Sequence, residues 1–152
     1  MKLAEALILR ADAQKRIQQL RERLNRSAKV QEGEQPPEDP QELLAELDRA
    51  IVEFSVLVKQ INRTNAQTAF GEGQTLTDVL ADRDALALQR SVLAGVIQNA
   101  AVQQNRYSRS EVKYFSTVSI AALQKQVDAL ARQYRELDSQ IQQLNWQVDL
   151  IE

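Results

Sequence analysis

The sequence contains no cysteine and no histidine. Their absence removes disulfides, thiolate and imidazole zinc sites, iron–sulfur clusters, haem-histidine ligation, and Ser-His-Asp or Cys-His nucleophilic catalysis. Four glycines and three prolines are too few for phosphate-cradling loops or a turn-rich β architecture. Aromatic residues make up only 5% of the chain. Neither charge sign dominates: 19 Lys and Arg stand against 21 Asp and Glu, for a net charge of −2. A chain so balanced has no global drive toward nucleic acid or anionic lipid. Long apolar runs are missing too. The longest uncharged stretch, residues 91–105, carries Gln98, Asn99, Gln103, Gln104 and Asn105, which makes it too short and too polar for a membrane span. The first ten residues interrupt a short apolar run with Glu5, which does not fit a signal peptide, so a cytoplasmic location is the expectation.

What the sequence does contain is helical periodicity, over a length that suits one domain of 152 residues. Ile120, Leu123, Val127, Leu130, Tyr134, Leu137, Ile141, Leu144, Val148 and Ile151 alternate steps of three and four. This is the a/d pattern of a coiled-coil seam, and it predicts a helix over about 119–151. A second seam runs Leu44, Leu47, Ile51, Phe54, Val58, Ile61, Asn65. Its start is marked by Asp39 as N-cap, Pro40 at the first helical position and Glu42 at the third. A first helix carries Leu3, Ala6, Arg10, Ala13, Ile17, Leu20 and Leu24. A third carries Val79, Arg83, Leu86, Arg90, Leu93, Ile97 and Ala100 after a Thr75-x-x-Asp78 capping box. The third helix has a further stripe, Leu88, Val92 and Val96. A helix apolar on two faces is central or lies at a subunit interface.

These elements predict an all-α fold: a single domain over 1–152 with four long antiparallel helices in an up-down-up-down, coiled-coil-like bundle. Two long connections then fall at one end. The alternation of Val112, Tyr114 and Ser116 suggests a small two-stranded β pairing there with residues 29–31. Charge separates along the first connection, with eight bases and three acids in residues 1–29 and seven acids and no base in 32–48. The sequence-level reading is the basic end of one helix beside the acidic start of the next, each matched to its dipole.

Chemistry-bearing constellations are sparse. Helical proteins can hold magnesium with paired E-x-x-E and E-x-x-D motifs on facing helices, because a hard cation takes oxygen ligands. The chain offers only Glu42-x-x-x-Glu46 and Asp78-x-x-x-Asp82. No cofactor and no metal site is therefore expected. Arg10, Arg83 and Arg90 fall on seam positions, where they either lie toward a seam edge, snorkel or pair with acids across the bundle, or form an internal anion pocket. The 105–115 segment interleaves Arg106, Tyr107, Arg109 and Lys113 with Tyr114 and Phe115. Cations among aromatics can bind phosphate and stack bases, so this loop is the candidate binding segment, and Asn62 and Arg63 are further binding candidates.

Taken in order, Lys2-Leu3-Ala4-Glu5-Ala6-Leu7, Arg10-Ala11-Asp12, Lys29-Val30-Gln31-Glu32-Gly33, Ile61-Asn62-Arg63-Thr64-Asn65 and Arg106-Tyr107-Ser108-Arg109-Ser110-Glu111-Val112-Lys113 resemble the septicolysin-like bacterial proteins over nearly the whole chain. The resemblance implies an α-helical, self-associating protein, and its label implies a pore-forming cytolysin. The expected function is non-enzymatic: a self-associating helical bundle whose partner is a second copy of itself, as a dimer or a higher symmetric form. Two alternatives stand beside it. One is a membrane-active cytolysin, the only reading that brings in a membrane. The other is a nucleic-acid or nucleotide binder acting through the 105–115 loop. The extra stripe on helix three, Val52 and Val56 on helix two, and Trp146 leave more apolar surface than one bundle needs, so Trp146 or the Leu88–Val92–Val96 stripe is expected to be covered by another subunit.

Overall fold

The computed structural model describes residues 1–101 and 112–152. They form four helices: α1 (Leu3–Ser27), α2 (Pro40–Gln67), α3 (Leu76–Ala100) and α4 (Ile120–Gln147). The fold is all-α with helix-on-helix packing. Among the described residues there is no strand, only isolated bridges at Lys2–Asp149 and Ala69–Thr75. Two compact units result, one of Met1–Leu76 with Gln142–Glu152 and one of Thr77–Ile141.

In the first unit α1 packs on α2. The start of α2 follows its sequence signals: Asp39 Oδ1 accepts from the Gln41 N–H at 2.9 Å, and Pro40 opens the helix. The core cluster is Leu20, Leu43 and Ala50, with Ile17, Leu24 and Leu47 packed around it. On α2 the buried stripe is Leu43, Ala50, Ile61 and Thr64. Leu44 and Ile51, expected inside, are exposed. The seam is turned by one residue at these positions because Ala50, too small to register as a seam residue in the sequence, lets α1 approach closely.

The unit is closed by its chain ends. The Leu3 N–H donates to the Val148 carbonyl and the Leu150 N–H to the Met1 carbonyl, each at 2.9 Å. Lys2 Nζ meets Asp149 Oδ1 at 2.8 Å. The fully buried Thr64 hydroxyl donates to the Gln60 carbonyl at 2.8 Å and accepts from the Ile151 N–H at 2.9 Å. This pairing explains why α4 stops at Gln147 rather than continuing to Ile151. The last residues leave the helix to satisfy their backbone groups against the N-terminal segment and Thr64.

After α2 the chain makes a tight local turn within residues 68–76. The Phe70 N–H donates to the Gln74 carbonyl at 2.8 Å, and Gly71 and Gly73 adopt φ of 68° and 74°, a region that favours glycine. The expected β pairing of 29–31 with 112–114 is not among the described bridges. The Gln31 carbonyl is instead taken by the Glu34 N–H at 3.0 Å in a turn through Gly33, and residues 112–117 have no regular secondary structure.

In the second unit α3 turns Val79 inward, with Leu86, Leu93 and Ile97 half-buried. On α4, Leu130 and Ile141 are buried and Val127, Tyr134 and Leu137 half-buried. Contacts between these helices include Arg83 Nη1 to Asp138 Oδ1 at 2.7 Å and the Arg90 guanidinium 5.8 Å above the Tyr134 ring.

Candidate interaction surface

The seam arginines lie where cations can be held without free burial. Arg83 is half-buried, paired with Asp138, and has Asp84 Oδ1 3.9 Å from its Nε. That Nε is buried and makes no hydrogen bond among the described residues. Arg90 is half-buried and lies over an aromatic face, a favourable site for a guanidinium. Arg10 is half-buried. Of the other candidates, Arg106, Tyr107 and Arg109 lie outside the described residues. Lys113 and Asn62 are exposed. Arg63 is exposed and donates from Nη1 to the Glu152 carbonyl at 2.8 Å, so it braces the C-terminal segment.

The charge separation along the first connection becomes specific ion pairs. Arg23 donates to both carboxylate oxygens of Glu38, with Nε 3.0 Å from Oε2. This hydrogen bonding lowers the Glu38 pKa and raises that of Arg23. Arg16 bridges Glu46 at 3.3 Å and Glu53 at 3.8 Å. The Lys2 hydrogen bond likewise lowers the Asp149 pKa. Among the described residues no three acidic side chains gather to hold a metal ion, and no helix is long and apolar enough to cross a membrane.

The most prominent surface features are apolar. In the first unit a groove of about 520 Å³ opens between α1 and α2 beside Leu9, Ala13, Val52, Val56 and Leu57. Val52 is 62% and Trp146 56% exposed. In the second unit Leu88 is 67% exposed, and Val92 and Val96 are exposed with it. A cleft of about 750 Å³ lies between the end of α3 and the 114–118 segment, lined by Val92, Gly95, Val96, Tyr114 and Phe115. The two aromatic rings of this cleft are 78% and 80% exposed. Sequence reading found the α3 stripe from its spacing. It missed the cleft, which depends on where the irregular segment after α3 lies.

The fold and these surfaces define an all-α protein of long helices with exposed apolar faces. Residues 10–150 match a family of unknown function (DUF6847), and the chain belongs to it. It is similar to a solved structure described as that of a functionally unknown conserved protein from Corynebacterium diphtheriae. The two are 46% identical, with a TM-score of 0.90 and 99% of each chain covered. No curated protein matches the chain.

Proposed function

We propose that the protein acts without catalysis, as a self-associating helical-bundle protein that works by assembling with copies of itself. The observation that carries this reading is the exposure of large apolar side chains in register along long helices: Leu88, Val92 and Val96 on α3, and Val52 and Val56 on α2. Contiguous apolar surface of this kind on a water-exposed helix marks an interface more often than a tolerated surface. A closed two-fold dimer is the commonest way to cover such a patch.

Antiparallel hairpins are part of the same reading. Arg16 pairs with Glu46 and Glu53 while the later Arg23 pairs with the earlier Glu38. Arg83 likewise pairs with Asp138 and the later Arg90 with the earlier Tyr134. Reversed order on both pairs of helices supports an up-down arrangement within each. Size-exclusion chromatography with light scattering tests the proposal. A mass that is a multiple of 17.2 kDa is expected, and a monomer at every concentration would overturn it.

A further inference from the structure

The outer face of α3 carries a second heptad. Ala81, Ala85, Leu88, Val92, Gly95 and Asn99 follow one another in steps of four, three, four, three and four. All are exposed except Gly95, which is half-buried. None is charged, and among the described residues Tyr114 and Phe115 lie beside the Gly95 end of the stripe while Ala81, Ala85, Leu88, Val92 and Asn99 stay exposed. An a/d repeat is the pattern that packs knobs into holes on another helix, so its natural complement is a helix with the same repeat. We propose that this face pairs with the same face of a second copy, α3 against α3, antiparallel about a two-fold axis near residue 90. This deepens the self-association reading and rests on it.

Three observations favour a second copy in this orientation. First, packing of the described residues does not account for Gly95: among them, a Cβ built there meets nothing within 4 Å. Glycine weakens a helix interior relative to alanine, so its use in α3 fits close approach by a helix from outside the chain. Second, sizes match across the axis. Tyr114 and Phe115 flank Val96 at one end of the stripe, and the antiparallel pairing lays them over the second copy's Ala81 and Ala85, whose small side chains leave room. Leu88 then faces the second copy's Val92.

Third, the area suffices. An aromatic ring buries about 150–250 Å², so Tyr114 and Phe115 at roughly four-fifths exposure offer about 300 Å². Leu88, Val92 and Val96 add about 200 Å². Doubled across the axis, this reaches about 1,000 Å², the threshold that a biological interface should clear.

The experiment compares sedimentation of the full-length wild type with Leu88→Asp and Gly95→Leu, each checked for unchanged helicity by circular dichroism. Both changes fall outside the buried seam. Leu88→Asp counts twice across the axis and should raise the dissociation constant about a hundredfold or more. Gly95→Leu should weaken association by blocking close approach. Orientation is read from cysteine cross-linking, which is clean because the chain has no native cysteine. Mixing Leu88→Cys with Val92→Cys should give a disulfide heterodimer in preference to either homodimer. If the wild type associates and both variants associate equally well, this face is not the interface, although self-association through another face stands. If Leu88→Cys cross-links preferentially to itself, the antiparallel pairing is overturned. A monomeric wild type overturns both proposals.

Discussion

Replacing Leu20 with alanine tests the α1–α2 core directly. Leu20 is completely buried among Leu43 and Ala50 and is ringed by Ile17, Leu24 and Leu47. Leu20→Ala removes three carbons, a transfer loss of about 2.4 kcal/mol at about 0.8 kcal/mol per methylene. A cavity term adds to this when the surroundings stay rigid. Here the three ringing side chains are only partly buried and can close in, which keeps that term small. The expected cost is about 3 kcal/mol, or about 6–12 °C in Tm for a chain of this length. Urea unfolding followed by circular dichroism at one fixed protein concentration measures it, with Ile8→Ala as an exposed control expected to change stability by about 0.5 kcal/mol or less. A loss below about 1 kcal/mol for Leu20→Ala would refute the assignment of this cluster as the core.

Other perturbations bear on separate links of the argument. The Arg23 hydrogen bonds hold the folded pKa of Glu38 below its unfolded value. Their contribution is therefore present above the unfolded carboxylate pKa and is lost as pH falls through the folded one. Thermal melts should show a smaller acid-side fall in Tm for Glu38→Gln than for the wild type, and identical pH profiles would contradict this. Asp138→Asn removes the closer of the two carboxylates beside the half-buried Arg83 and should cost about 1–3 kcal/mol, measured by urea unfolding. Thr64→Val removes both the bond from the Ile151 N–H and that to the Gln60 carbonyl, and faster hydrogen exchange at Ile151 and Leu150 is expected. Purified protein should release no dye from anionic liposomes, and efficient leakage would favour the cytolysin alternative.

Long, strongly periodic stretches were the legible part of the sequence. The α4 seam from Leu123 to Leu144 and the α1 seam lie on the half-buried or buried faces that their spacing indicated. The Asp39-Pro40 start was legible because an N-cap followed by proline satisfies local backbone geometry whatever the tertiary context. Register at small residues was not: Ala50 and Thr64 are buried while the larger Ile51 is exposed, because close helix approach selects for size rather than hydrophobicity. The early end of α4 was hidden as well, since Val148 and Ile151 continue the heptad and only long-range pairing with residues 1–3 and Thr64 draws them out of the helix. Of the candidate binding residues, Arg63 became a brace for the chain end, and its role depends on a partner 89 positions away.

Sedimentation equilibrium over a wide concentration range, with the wild type and Leu88→Asp run side by side, tests the central claim most directly. The account predicts a wild-type mass that rises from 17.2 kDa toward twice that value at micromolar concentration, while the variant stays at the monomer mass. A wild type that remains monomeric throughout would contradict it.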